Sequence, residues 1–310
     1  MAATAVRERI LVIKLAALGD FVQAFAPFAA IRAWHRDAEI TLLTTAPFVD
    51  LAEASPWFDR VWSNGRPAWT DLHGVARLAV KLARCRFKRV YDLQTSSRSS
   101  RYRLFVGLRA EWSGTAIGAS HRDTNPRRDL LHTLDRQRAQ LAAAGIPYFS
   151  APSLDWLTAD LSNFGLPQRF ALLLPGASPA RPAKRWPAAM YGELAAQLAM
   201  PVAVCGIDSE RELAHRIQQA CPSAIDLTGR TSLVQLAAIA KQATITIGND
   251  SGPTHLAAAV GTRAICLFGS ESNPTLCAPR GPNVTVLSND HLSDLAVREV
   301  VHAARSNVRR

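Results

Sequence analysis

The chain has 310 residues, 48% of them hydrophobic and 20% charged, with 17 Gly and 18 Pro. It has the material for a substantial core, and its composition excludes disordered and collagen-like classes. From the length, two domains of roughly 150 residues each are the default expectation, with one long domain as the alternative. The net charge of +11 is unevenly spread: residues 1–155 hold 22 Lys/Arg against 14 Asp/Glu, residues 156–310 hold 14 against 11, and Arg77 to Arg138 alone holds 15 against 5. Such a field attracts nucleic acid, anionic lipid or an acidic small substrate.

The run Ile10 to Leu15 is continuously apolar apart from Lys14, as in a strand buried on both faces of a parallel sheet, and Ala16 to Asp20 reads as its turn. A helix is predicted over Phe21 to Trp34, then strands at Glu39 to Leu43, Arg60 to Trp62, Val90 to Leu93 and Ala110 to Trp112. Helices are predicted at Trp69 to Arg84, Ser97 to Val106 and Leu131 to Ala144. Pro147, Pro152 and Pro167 then mark a linker. A second alternating series follows, with strands at Phe170 to Leu174, Val202 to Cys205, Ala224 to Leu227, Thr244 to Ile247, Ala264 to Phe268 and Val284 to Leu287. Its helices are predicted at Ala188 to Ala199, Glu210 to Ala220, Leu233 to Ala240, Thr254 to Val260 and His291 to Ala304. The expected architecture is α/β with two doubly wound domains, residues 1–160 and 161–310, facing a central cleft.

Other classes lose ground. The longest gap between charges, Ala139 to Leu154, carries Gly145, Pro147 and Pro152, so it does not supply the ~18 apolar residues of a membrane helix. The first apolar run breaks at Lys14 soon after Arg7, Glu8 and Arg9, so no secretory leader is expected. Five cysteines without a C-x-x-C pair argue against a disulfide framework and a zinc ribbon. No P-loop and no G-x-G-x-x-G is present, so ordinary nucleotide hydrolysis and dinucleotide redox chemistry lose support, and without H-E-x-x-H spacing metal is not expected to be central.

The most informative stretch, Thr244 to Ala259, runs from a strand through Asn-Asp-Ser-Gly-Pro into a helix. Asp250 or Ser251 would cap it, Gly252 would let a ligand approach, Pro253 suits the first turn, and the N–H groups of Thr254 and His255 would face a phosphate. A capped structural helix fits the same pattern. Upstream, Arg181, Lys184 and Arg185 follow the strand that ends in Leu174. They are either solvated loop charges or cations for a diphosphate at the neighbouring strand end. Asp20, at the start of the first helix, would serve as a proton acceptor or merely as a cap.

Taken together, Leu18-Gly-Asp20, Asp92-Leu-Gln94 with Arg98-Ser99, Lys184-Arg-Trp-Pro187, Leu227-Thr-Gly229 and Asn249 to Ala257 resemble the family 9 glycosyltransferases, the lipopolysaccharide heptosyltransferases. The resemblance runs through nearly the whole chain. It implies a GT-B fold, with acceptor in the first domain and nucleotide sugar in the second. It also implies an inverting, metal-independent transfer without a resident cofactor. Asp20 would be the general base, Lys184 would neutralise the donor phosphates, and the turn of Asp250, Ser251, Gly252, Pro253, Thr254 and His255 would hold the pyrophosphate. Ser178 matches a hydroxyl near the phosphates, Glu210 a carboxylate near the ribose, and Thr228 and Gly229 a stretch lining the nucleotide. Gly19, Arg98 and Arg101 are assigned to the acceptor. Thr95-Ser96 departs from the Gly that many relatives have after Asp-Leu-Gln.

The expected donor is ADP-L-glycero-D-manno-heptose and the expected acceptor an acidic lipid-linked core oligosaccharide. The place expected is the cytoplasmic side of an anionic inner membrane, with no role for nucleic acid. The terminal helix, about 291–305, is allowed to pack back on the first domain. A transferase with another nucleotide sugar and a non-catalytic nucleotide- or glycan-binding module remain as alternatives.

Overall fold

The computed structural model describes residues 7–281 and 283–306. The opening residues, on which the leader expectation partly rests, lie outside the described ones. By its contacts the chain divides into two units, Met1–Trp156 and Leu157–Arg310, beside the division expected at 160/161.

The first unit is built on β1 (Arg9–Ile13), β2 (Glu39–Leu43), β3 (Arg60–Trp62), β4 (Arg89–Asp92), β5 (Glu111–Gly114) and β6 (His121–Arg122). These six strands pair in parallel in the order β3-β2-β1-β4-β5-β6. Its helices are α1 (Leu18–Gln23), α2 (Phe25–Trp34), α3 (Val49–Glu53), α4 (Leu72–Arg84), α5 (Ser97–Val106) and α6 (Thr133–Ala143). The second unit carries β7 (Ala171–Leu174), β8 (Val202–Val204), β9 (Ile225–Asp226), β10 (Ile245–Asn249), β11 (Ala264–Phe268) and β12 (Val284–Ser288), also parallel, in the order β12-β11-β10-β7-β8-β9. Its helices are α7 (Ala188–Gln197), α8 (Arg211–Ala220), α9 (Leu233–Gln242), α10 (Gly252–Ala259), α11 (Pro274–Cys277) and α12 (Val297–Arg305).

Counted from its own first strand, each sheet has the doubly wound order 3-2-1-4-5-6. Its switch point lies between β1 and β4 in one unit and between β7 and β10 in the other, where the loops leave in opposite directions and open a crevice. The central strands are apolar because helices cover both faces. Ile10 to Ile13, Leu172, Leu173, Ile247 and Leu267 are fully buried. Leu78 and Leu82 of α4 and Tyr102 of α5 close the first core; Tyr191 and Leu194 of α7 and Val300 of α12 close the second.

The differences from the sequence reading have local causes. The single helix expected over 21–34 is two, broken at Ala24. Pro27 has no N–H to return to the Gln23 carbonyl, and the Ala24 N–H turns back to Phe21 instead. α4 starts at Leu72 rather than Trp69 because the Asp71 carboxylate caps it, accepting from the Gly74 N–H at 2.8 Å. β6, α3 and α11 are too short to show a period. The apolar stripe of the terminal helix α12, Val297, Val300, Val301 and Ala304, is buried in the second unit's own core against α7 and β11.

Candidate active site

In the second unit, β10 ends on the buried Asn249, which ties three segments together. Its Oδ1 accepts from the Trp186 N–H and the Tyr191 hydroxyl, each at 3.0 Å, and its Nδ2 donates to the Pro175 carbonyl at 2.7 Å. Trp186, itself buried, donates its ring N–H to the Leu295 carbonyl at 3.0 Å. These bonds fix the loop that carries Lys184. The Lys184 ammonium then donates to Asp250 Oδ2 at 2.5 Å, while Asp250 Oδ1 lies 3.2 Å from His255 Nε2. Burial works against the Asp250 charge, but the bonds from His255 and Lys184 overcome it and hold the carboxyl down at about 2.

Asp250 is thus occupied by two cationic or hydrogen-bonding partners and does not cap α10. Ser251 stands at the cap position, but its side chain makes no capping bond. The His255 N–H, expected to face a ligand, is used within the helix, donating to the Ser251 carbonyl at 3.1 Å. The Thr254 hydroxyl is likewise turned inward, to the Asn249 carbonyl at 2.7 Å. What α10 offers outward is its first-turn backbone at Gly252 and Thr254, with Pro253 between them and no side chain closing the end.

Glu210 reaches the same neighbourhood from the loop after β8. One carboxylate oxygen accepts from the Ile207 N–H at 3.0 Å and the other lies 4.0 Å from Arg185, whose guanidinium also donates to the Ala177 carbonyl. Gly176 leaves room for this carboxylate: a Cβ there would stand 2.2 Å from Glu210 Oε1 and push the side chain aside. Thr228 is fully buried with its hydroxyl on Asp226 at 2.6 Å, and Gly229, at φ +70°, donates to the Gly206 carbonyl. Both shape the Glu210 loop from behind. Ser178 is exposed, and its carbonyl accepts from the Arg181 N–H.

In the first unit, Asp20 sits in the first turn of α1, partly exposed, with Oδ2 3.4 Å from the Ala17 N–H. Gly19 precedes it in the same turn. The loop presenting them is braced from β4, because Gln94 Oε1 accepts from the N–H groups of Leu15 at 2.8 Å and Ala16 at 3.1 Å. Lys14 adds a bond to the Leu93 carbonyl at 3.1 Å. Burial pushes the Lys14 ammonium down, against the pull of Asp20 and Asp92. Burial pushes the Asp92 carboxyl up to about 6, against the N–H groups of Thr95 and Gln94 and the Lys14 charge.

Thr95 takes a left-handed φ of +47°, and its hydroxyl is held by Arg128 at 3.0 Å. Arg98 donates to the Pro67 carbonyl at 2.7 Å and lies over the Trp69 ring at 4.3 Å; Arg101 is exposed beside the same ring. The sequence reading quoted Asp92, Gln94 and Asn249 without giving them a role, and noted Lys14 only as a break in an apolar run. The signal was there for Lys14: a cation inside an otherwise apolar strand calls for a partner.

The family model of glycosyltransferase family 9 (heptosyltransferase) matches residues 75–304. The chain belongs to glycosyltransferase family 9. As a family 9 member it is a glycosyltransferase, and the matched stretch holds Lys184, Glu210 and Asp250 but begins beyond Asp20. A lipopolysaccharide core heptosyltransferase, OpsX of Haemophilus influenzae, is 24% identical over 292 residues, covering 88% of this chain and 82% of that one. The structure of ADP-heptose lipopolysaccharide heptosyltransferase II of E. coli matches with a TM-score of 0.78 at 21% identity, covering 96% of this chain and 98% of that one. E. coli heptosyltransferase WaaC with ADP matches with a TM-score of 0.75 at 19% identity, covering 97% and 100%. The family 9 fold of two doubly wound units, GT-B, is therefore the fold of this chain.

Proposed function

We propose that this enzyme transfers a heptose from ADP-L-glycero-D-manno-heptose to an acidic, lipid-linked lipopolysaccharide core acceptor, with inversion and without a metal ion. The observation that carries the reading is the Lys184–Asp250–His255 arrangement beside the uncapped start of α10. Transfer at an anomeric carbon leaves a diphosphate whose growing charge must be met where it develops. The N–H groups of Gly252 and Thr254 at a helix start and the Lys184 ammonium meet it without a divalent cation.

Asp250, being anionic, does not itself hold phosphate. Its place is to orient Lys184 and His255, and its own charge is neutralised by them. Glu210 takes the ribose hydroxyls, with Thr228 and Gly229 behind it and Ser178 at the phosphate edge. Asp20 takes the proton of the acceptor hydroxyl as it attacks, a step for which a positioned base supplies about 10²–10⁴-fold. Arg98 and Arg101 attract the acidic acceptor. The names of the relatives support donor and acceptor: one is a core heptosyltransferase and one was solved with ADP.

Calorimetric titration without added metal against ADP, UDP, GDP and ADP-heptose tests this directly. Preference for the ADP ligands, weakened at least tenfold by Lys184→Ala, is the expected result. Preference for UDP or GDP would remove the heptose donor, and silence toward all four would remove the catalytic reading.

A further inference from the structure

The basic first unit also carries most of the chain's exposed apolar side chains. Of the eleven large hydrophobic residues exposed among the described residues, nine belong to it. Scattered singly, such residues need no explanation, but a contiguous patch does. Here several are joined through arginines. Trp69, 38% exposed, lies under the guanidinium groups of Arg98 at 4.3 Å and Arg101 at 5.6 Å, and Leu72, 74% exposed, opens α4 three residues later. On α5, which packs against α4, Leu104 is 73% exposed. The neighbouring Arg103 donates to the Gly118 carbonyl, bringing the loop after β5 alongside, with Ile117 83% exposed at its tip.

We infer that the face made by the start of α4, the outer side of α5 and the Ile117 loop seats this enzyme on an anionic bilayer. The inference rests on the lipid-linked acceptor reading and adds the surface that meets the lipid. Aliphatic tips among arginines enter the headgroup boundary while guanidinium groups stay among the phosphates, and an indole under an arginine suits the same depth. The exposed acidic group on these segments is Asp71, whose carboxylate is engaged as the α4 cap. A nucleic acid would use the arginines but gains nothing from Leu72, Leu104 and Ile117, which offer no ring on which a base can stack. The face starts where α5 leaves the Asp92–Ser96 turn, the turn that braces the Asp20 loop, so a lipid-anchored sugar would arrive beside the proposed base.

Co-sedimentation of the full chain with phosphatidylglycerol/phosphatidylethanolamine vesicles, and with phosphatidylcholine vesicles, tests the face. The native chain is expected to bind the anionic vesicles and to lose that binding as salt rises. The double variant Leu104→Ser, Ile117→Ser should bind at least tenfold more weakly, with ADP affinity and melting temperature unchanged because both side chains project into solvent. Equal vesicle binding by native chain and double variant, or no binding of the native chain to anionic vesicles, overturns the proposal. Native-like vesicle binding that depends on Leu104 and Ile117 in a protein that transfers nothing from ADP-heptose would instead leave the face standing and remove the functional reading.

Discussion

At Asp250 a carboxylate is kept ionised where burial opposes it, at about 2 against an ordinary 3.8. Because the folded state lowers this pKa, the stabilisation is complete above the unfolded value and is lost as pH falls from about 4 toward 2. A shift of this size is on the order of 2 kcal/mol. Asp250→Asn should therefore be less stable than the native chain at pH 7 but close to it at pH 2 to 3, which urea midpoints at the two pH values will show. The same variant frees Lys184 from its anchor, so the affinity for ADP should fall at least tenfold, and titration with ADP at pH 7 reads that loss.

Lys184 and Asp250 were legible in the sequence because both follow the C-terminal ends of strands, where an α/β sheet collects its ligands. That Asp250 serves Lys184 and His255 rather than the helix end was not legible. A cap and an ion pair require the same residue types at the same spacing, and only the path of the 175–187 loop decides between them.

Two elements act as braces, and both can be cut. Gln94 joins the β4 turn to the backbone of the Asp20 loop through one oxygen shared by two N–H groups. Gln94→Leu leaves both amides unmatched, which costs about 1–3 kcal/mol, and lets the Asp20 loop move. The expected result is a fall in kcat of tenfold or more with the donor KM nearly unchanged, and Gln94→Glu, which keeps the accepting oxygens, should restore most of it. Steady-state kinetics at saturating acceptor make the comparison. Asn249→Leu removes three bonds at once in the second unit and should destabilise it by about 2–4 kcal/mol. Since Trp186 is the one tryptophan beyond Trp156, a change in its fluorescence reports the loosening of the Lys184 loop. A buried asparagine bridging 63 and 74 residues in sequence has no periodic signature, whereas the continuous apolar strands β1, β7 and β11 do.

Across the whole molecule, repeated parallel pairing made the fold class readable: two βα series separated by a proline-rich linker have few other ways to bury their strands. Strand order was not readable from pattern alone, since every central strand looks alike once helices cover both its faces. The molecule's acid response follows from two opposed groups, a half-buried histidine and a buried aspartate. His35 is lowered from 6.5 to about 4, chiefly by burial and then by Arg89, while burial raises Asp92 from 3.8 to about 6. On acidification from about 6.5 to 4 the half-buried neutral His35 costs stability as the unfolded form takes up protons, and Asp92 regains stability by being protonated in place. The two shifts are similar in size and opposite in sign. Stability is expected to stay level between pH 7 and 5 and to drop below pH 4, where the contribution of Asp250 is lost along with those of Asp59, held below its ordinary value by the Ile40 N–H and Arg32 against its burial, and Glu111, held down by Arg89 and His121. Denaturant midpoints at pH 7, 5 and 3 check this, and a steep loss already at pH 5 would show that the two shifts do not cancel.

The most direct measurement is the rate of ADP release from ADP-L-glycero-D-manno-heptose in the presence of a phosphorylated, lipid-linked core acceptor, without added metal, for the native chain and for Asp20→Ala. The native chain should release ADP only with acceptor present, and Asp20→Ala should be slower by about 10² or more with the affinity for ADP unchanged. Acceptor-dependent release at the native rate from Asp20→Ala would contradict its role as base. No release by the native chain would contradict heptosyl transfer itself.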